Sequence, residues 1–479
     1  MTNFLKNRIS RRHALTALGV GGGALAAGDI LLAPPAHADG VDPNTLPLLV
    51  FFRFSGGWDT LLGLDPRDHT QKKYSDPDSK IHTGYDFVAD EDDEAEALMA
   101  STGNTGIITP SGSNISFGMA MAKMAPLYED LCVIRGIDMG TLSHSVGQRY
   151  FLTGKFPRGL SASGSSLSTF WASENPGLFT IPNLVIRTEM YNEGLDPRAS
   201  GLRINGYQDL STVLKPLNPD LEPKAKLAKA LADLQYGDRC LARQLDVTTH
   251  VTAHRASFEK SIAFSGGTIW QYFDFKRNPA PGSSVANVYD AFGINPGNPF
   301  GQLGEGEGRA AIAAQAITNG LSQAVSVAVA GGLDTHGDEW AADQVSRQRR
   351  GWNAVADFIS YMKNTLDPNG KPYWDRMTIV VSSDFARTPR LNTRTGRDHF
   401  LYSASLIAGN GIKGNQVVGA SSDYDYHATP IDHVTGKPDE LGAFVRPPDV
   451  HATLLEAAGL SYTQISNQSP VLLQSVLKA

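Results

Sequence analysis

The sequence predicts an α/β fold, a largely parallel sheet with helices on both faces. Two observations carry this. Four apolar runs, residues 46–54, 131–134, 324–330 and 377–381, each end in polar or Gly-rich sequence, and they are continuously apolar rather than alternating, as strands buried on both faces are. Amphipathic stretches lie between them, such as residues 340–366 after the third run, and these supply the covering helices.

Taken in order, the first forty residues read as an address. Ser10-Arg11-Arg12 precedes a Gly- and Ala-rich apolar stretch, and Ala36-His37-Ala38 places small residues at a signal-peptidase site before Asp39. We therefore expect a twin-arginine signal over residues 1–38, engagement of the twin-arginine translocase, and a periplasmic or extracellular mature chain. The glycines Gly21, Gly22 and Gly23 make this span weakly hydrophobic, so no transmembrane segment is expected once the signal is removed. Twin-arginine export carries proteins that fold before crossing, which favours a metal loaded in the cytoplasm.

Residues 39–479 are expected to form one domain, because no linker, low-complexity tract or fixed-period repeat divides them. A helical insertion is expected at about residues 190–320, with the charged, Ala- and Leu-rich stretch 223–264 as a cap over the site or a peripheral hairpin. The net charge is -7 and the basic residues are scattered, so nucleic acid is not an expected partner. Cys132 and Cys240 are the only cysteines, which excludes thiolate clusters and allows one disulfide at most. The acidic run 90–96 is expected to be solvated and is assigned no role.

Three of the four strands run into an aspartate: Gly56-Gly57-Trp58-Asp59, Gly332-Leu333-Asp334-Thr335-His336 and Ser382-Ser383-Asp384. Asp398-His399 follows in a later loop. Carboxylates and imidazoles gathered at the carboxyl edge of a sheet need positive charge between them, and a divalent cation supplies it. Oxygen and nitrogen ligands without thiolate favour zinc or manganese and also suit calcium or magnesium.

At these residues the chain resembles the domain-of-unknown-function 1501 family of the alkaline phosphatase/sulfatase-like superfamily. The resemblance rests on Gly332-Leu333-Asp334-Thr335-His336-Gly337, on Ser382-Ser383-Asp384-Phe385-Ala386-Arg387-Thr388-Pro389, and on Gly396-Arg397-Asp398-His399. Ser143-His144, the later Leu152-Thr153-Gly154 and the closing residues 449–460 extend it. Two departures stand out, Asp384 where the family usually has Glu and Phe400 where it has Gly. The resemblance implies an alkaline phosphatase-like fold and two divalent ions. Asp59 and Asp384 would hold one ion, Asp334 and His336 the other, with His399 or Asp398 completing the set. It also implies a nucleophile in the Ser143-His144-Ser145 segment. Either Ser143 attacks, or His144 binds metal while a metal-bound hydroxide attacks. No Cys-x-Pro-x-Arg sequence is present, so a formylglycine mechanism is not expected. Arg387 would grip a substrate oxygen pair, with Arg149 a weaker candidate.

The expected function is hydrolysis of phosphate or sulfate esters, on an anionic ester or an envelope or environmental glycan. The alternative is a non-catalytic cell-envelope binding or assembly protein that keeps a structural metal.

Overall fold

A computed structural model of the protein describes residues 41–215 and 269–478. The expected signal over residues 1–38, the stretch 223–264 and Cys240 lie outside the described residues. The core is an eight-stranded sheet made of β1 (Leu48–Phe54), β2 (Leu131–Asp138), β3 (Asn183–Ile186), β4 (Leu202–Ile204), β5 (Ala324–Ala330), β6 (Met377–Ser383), β7 (Tyr402–Gly409) and β8 (Gln416–Val418), in the order β8-β2-β7-β6-β1-β5-β3-β4. Every pairing is parallel except those of β7, which runs against both β2 and β6. The sheet is the mostly parallel α/β layout that the apolar runs predict.

The central strand β1 is buried along its whole length, and its pleat sends alternate side chains to opposite faces. Leu48, Val50, Phe52 and Phe54 join one core with helices α3 (Gly306–Thr318) and α4 (Glu339–Asn364). Leu49 and Phe51 join the other with α1 (His144–Thr153), α2 (Leu167–Ser173) and α5 (Pro447–Ala457). Helix α4 is amphipathic over 26 residues, and Trp352 on its buried stripe stacks on Trp58 at 5.5 Å between ring centroids. Such an apolar stripe, rather than helix propensity, is what holds a helix of this length on the sheet.

The region 190–320 contributes more than helices, since its segment Leu202–Ile204 forms the β4 edge and its helix α3 packs against β5. Cys132 is a buried core residue of β2. The acidic run caps and begins the helix Asp93–Ser101, where Asp92 accepts from the Ala95 amide and pairs with Arg349 at 2.6 Å. No described helix is long and apolar enough to cross a membrane.

In a sheet of this kind the carboxyl ends of neighbouring strands open onto a shared crevice. Here β1 leads into Gly56-Gly57, β5 into Asp334 and β6 into Asp384, while β2 leads through a short loop into α1. Two glycines permit the closeness. At Gly56 (φ 109°) a Cβ would sit 2.8 Å from the amide nitrogens of Leu333 and Asp334, and at Gly147 it would sit 2.0 Å from the Asp384 carbonyl oxygen.

Candidate metal centre

Gly147 lies on the first turn of α1, so its close approach to Asp384 presses the start of that helix onto the end of β6. His144 opens the helix and its ring packs against Phe385 at 4.6 Å. Its Nδ1 is 3.0 Å from Asp384 Oδ2. His336, two residues beyond Asp334, has its Nδ1 2.8 Å from Asp398 Oδ1. His399 belongs to a two-residue strand paired with Ala386–Arg387, and its Nδ1 is 2.6 Å from the Leu142 carbonyl oxygen. Ionised carboxylates and carbonyls only accept hydrogen bonds, so each Nδ1 carries the proton and, in the neutral ring, each Nε2 presents a lone pair, that of His336 with Arg387 Nη1 at 3.3 Å.

All three Nε2 atoms converge on one oxygen. Asp334 Oδ1 is 3.1 Å from His144 Nε2, 3.0 Å from His336 Nε2 and 3.2 Å from His399 Nε2, and the Nε2 atoms of His336 and His399 stand 3.0 Å apart. His144 Nε2 is buried without a hydrogen bond. His144, Asp334 and His399 form the one group with metal-ligand spacing among the described residues. Lone pairs at this distance repel unless a cation lies among them. A proton is disfavoured at His399, whose pKa is lowered by burial, but not at His144, whose pKa is raised by its carboxylate neighbours against its burial. The spacing also suits a metal: ligands about 2.0–2.1 Å from a tetrahedral zinc ion stand about 3.3 Å apart. Imidazoles whose far nitrogen is tied to a carboxylate or carbonyl are the usual outer dress of such sites.

The electrostatics follow from the same contacts. Burial raises the Asp334 pKa, but the hydrogen bond from Arg387 leads the effects that outweigh it and hold the carboxyl well below the usual range. Burial opposes the ionisation of Asp384 too, and Arg53 and His144 overcome it. For His144 burial lowers the pKa, while the bond to Asp384 leads the effects that bring it above the usual value. Asp398 is lowered first by its bond to His336.

The structure separates the predicted residues into three groups. Asp334, His336, His399 and His144 meet at the centre. Asp384 and Asp398 stand one step out, each fixing an imidazole. Asp59 contacts none of the three imidazoles: it is 1% exposed, caps the turn Thr60–Leu62, and is held by Arg397 Nε and Trp340 Nε1, each at 2.9 Å. Positive charge at the carboxylates therefore comes first from arginines, Arg397 on Asp59, Arg53 on Asp384 at 2.9 Å and Arg387 on Asp334 at 2.6 Å.

Arg387 is buried and its donors are already engaged, by the Gly56, Gly57 and Arg397 carbonyls, by Asp334 and by His336. Ser143 is the N-cap of α1 yet makes no side-chain cap bond. Arg149 pairs with Glu189 at 3.0 Å and with Tyr191, away from the imidazoles. Phe400 packs on Tyr402, Tyr426 and His427. Sequence reasoning missed Arg53, although a lone charge inside the run 46–54 was a signal. It also missed Arg397 and the Leu142 carbonyl, and the last leaves no trace in a sequence.

The profile of the family described as "Protein of unknown function (DUF1501)" matches residues 48–469. The chain belongs to this family. No curated protein matches this DUF1501 chain. Solved structures similar to it include Ps i-CgsB in complex with k-i-k-neocarrahexaose, at 9% identity and a TM-score of 0.35, covering 90% of this chain and 75% of that one. The PsFucS1 sulfatase from Pseudoalteromonas sp. is similar at 11% identity and 0.35, covering 87% and 68%. The lipoteichoic acid synthase LtaP from Listeria monocytogenes is similar at 8% and 0.35, covering 90% and 76%.

Proposed function

We propose that this chain is an exported hydrolase of phosphate or sulfate esters that works around one divalent cation, zinc or manganese by its donor set, held by His144, Asp334, His336 and His399. The observation that supports it is the convergence of three Nδ1-anchored imidazoles on Asp334 Oδ1 within 3.0–3.2 Å. When bound, the cation supplies positive charge and Lewis acidity to an ester oxygen or to water.

The charge balance explains why the cation matters for an anionic substrate. Asp334, Asp384 and Asp398 face Arg53 and Arg387, so with neutral imidazoles the centre is net negative and repels a phosphate or sulfate. A divalent ion reverses the sign. Arg387, already fixed by carbonyls, acts as a permanent charge beside Asp334 rather than as a free two-pronged clamp. Asp384 and Asp398 hold the proton on Nδ1 of His144 and His336. The Ser143 hydroxyl, at the start of α1 beside His144, is the protein's own candidate nucleophile, with water as its competitor.

Partial exposure of the centre favours turnover over a structural ion: the Asp334 side chain is 49% exposed and that of His336 32%, whereas structural sites are closed. Export rests on Ser10-Arg11-Arg12 and the cleavage sequence before Asp39, and it places the substrate in the envelope or the surroundings, an anionic glycan or related ester. The test is a screen of aryl phosphate, phosphodiester and sulfate esters on wild type and Ser143→Ala, with and without chelator. We expect chelator-sensitive hydrolysis of at least one class, nearly lost in Ser143→Ala if serine attacks. Chelator-resistant hydrolysis, or none by metal-loaded protein on any class, contradicts the proposal.

A further inference from the structure

Arg309 is a buried cation with no ion-pair partner among the described residues. It is 8% exposed on the first turn of α3, and its Nε donates to the Glu305 carbonyl at 2.9 Å, which folds the guanidinium back to the helix N-terminus. That end carries the positive pole of the helix dipole. Among the described residues no carboxylate lies within the 4.0 Å of an ion pair and no group hydrogen-bonds its two terminal nitrogens, which are not sealed from solvent. A second cation, Arg187, acts on it from the end of β3. Burial and Arg187 together press the Arg309 pKa down to about 10, with Glu305 and Glu307 opposing from outside ion-pair distance. An unpaired buried charge is costly, and each of these features becomes favourable once an anion arrives.

The position relates this group to the centre. Gly306 packs so closely that a Cβ there would be 2.2 Å from the Val329 carbonyl oxygen, so α3 begins at the carboxyl end of β5, the strand that leads into Asp334. Arg187 directly follows β3, whose Ile186 pairs with Val327 of β5. Both arginines therefore lie on the same sheet edge as the centre, on its β3 flank.

We infer that Arg309, with Arg187 beside it at the N-terminus of α3, forms a second oxyanion subsite that takes a further sulfate, phosphate or carboxylate group of the substrate. As a statement about substrate it rests on the ester-hydrolase reading, and it narrows that reading to polyanionic esters. A guanidinium with free terminal donors matches the paired oxygens of such a group.

Anion binding is read first on chelator-treated protein, where the metal-free centre is net negative. Sodium sulfate, against sodium chloride at matched ionic strength, should raise the unfolding midpoint of wild type and of His336→Ala by more than the general sulfate stabilisation that Arg309→Gln shows. Arg309→Gln should also unfold at a higher temperature than wild type in chloride, because it removes an unpaired buried cation. An equal sulfate-dependent rise in Arg309→Gln, or a midpoint below wild type in chloride, overturns the subsite. On metal-loaded enzyme, Arg309→Gln should raise KM for a disulfated disaccharide by about tenfold or more with kcat unchanged, and leave a monosulfated one unaffected. Equal effects on both overturn its role in substrate recognition. A sulfate response in wild type without any turnover would remove the hydrolase reading and not the subsite.

Discussion

At the scale of single residues, the nitrogen that carries the proton on each histidine decides which nitrogen can face a metal. Asp384 is the clearest case. It touches His144 Nδ1, Arg53 and the Gly56 amide at once, so Asp384→Asn keeps the shape while weakening the acceptor that fixes the ring. Metal affinity should fall by about 10- to 100-fold, the usual cost of losing an outer partner, and competition with a chromophoric chelator measures it. Unchanged affinity would show that Asp384 does not orient a ligand.

A second residue-scale prediction concerns His451, which is fully buried and held by the Phe151 carbonyl at 2.7 Å. Burial lowers its pKa from the usual 6.5 to about 4, so as pH falls below 6.5 the unfolded chain takes the proton before the native one. Stability is thus fully present at neutral pH and is lost between pH 6.5 and 4, by up to about 3 kcal/mol. Urea unfolding at several pH values should show this slope in wild type and a shallower one in His451→Gln. Identical slopes would contradict it.

At the scale of elements, the sheet was largely legible. The runs 46–54, 131–134, 324–330 and 377–381 fall on β1, β2, β5 and β6, because strands buried on both faces leave near-continuous apolar sequence, broken here by no more than one polar residue in each run. The antiparallel β7 escaped notice, since Ser403 and Ser405 interrupt its run although both are buried and Ser405 donates to the Val381 carbonyl at 2.7 Å. The short strands β3, β4 and β8 are too brief for a periodicity to show. The site was legible in part for a similar reason. Asp59 and Asp334 carry the same signal, glycines before an aspartate after a strand, but only the fold reveals that Arg397 engages the first. The packing of α1 on β6 is likewise invisible in sequence, and Gly147 is its test. In Gly147→Ala the added carbon meets the Asp384 carbonyl oxygen, so the helix must shift and carry His144 with it. We expect a stability loss of about 1–3 kcal/mol together with weaker metal binding, measured by denaturant unfolding with and without metal. Wild-type values in both would contradict the contact.

At the scale of the whole molecule, charge organises the account. The chain carries a net charge of -7, and the carboxylates of its candidate site outnumber the arginines that face them, so on the proposed hydrolase reading an anionic substrate should need metal for both binding and turnover. The twin-arginine signal expected from the sequence lies outside the described residues. Replacing Arg11 and Arg12 with Lys should retain the precursor in the cytoplasm, as read by fractionation, and normal export would remove that assignment. The most direct measurement is the metal content of the purified protein by inductively coupled plasma mass spectrometry, for wild type beside a variant with His144, His336 and His399 all changed to Ala. About one zinc or manganese ion per folded wild-type chain is expected, and none in the folded triple variant. Wild-type protein that takes up no divalent metal when it is supplied, or a triple variant that keeps the full amount, would contradict the proposed metal centre.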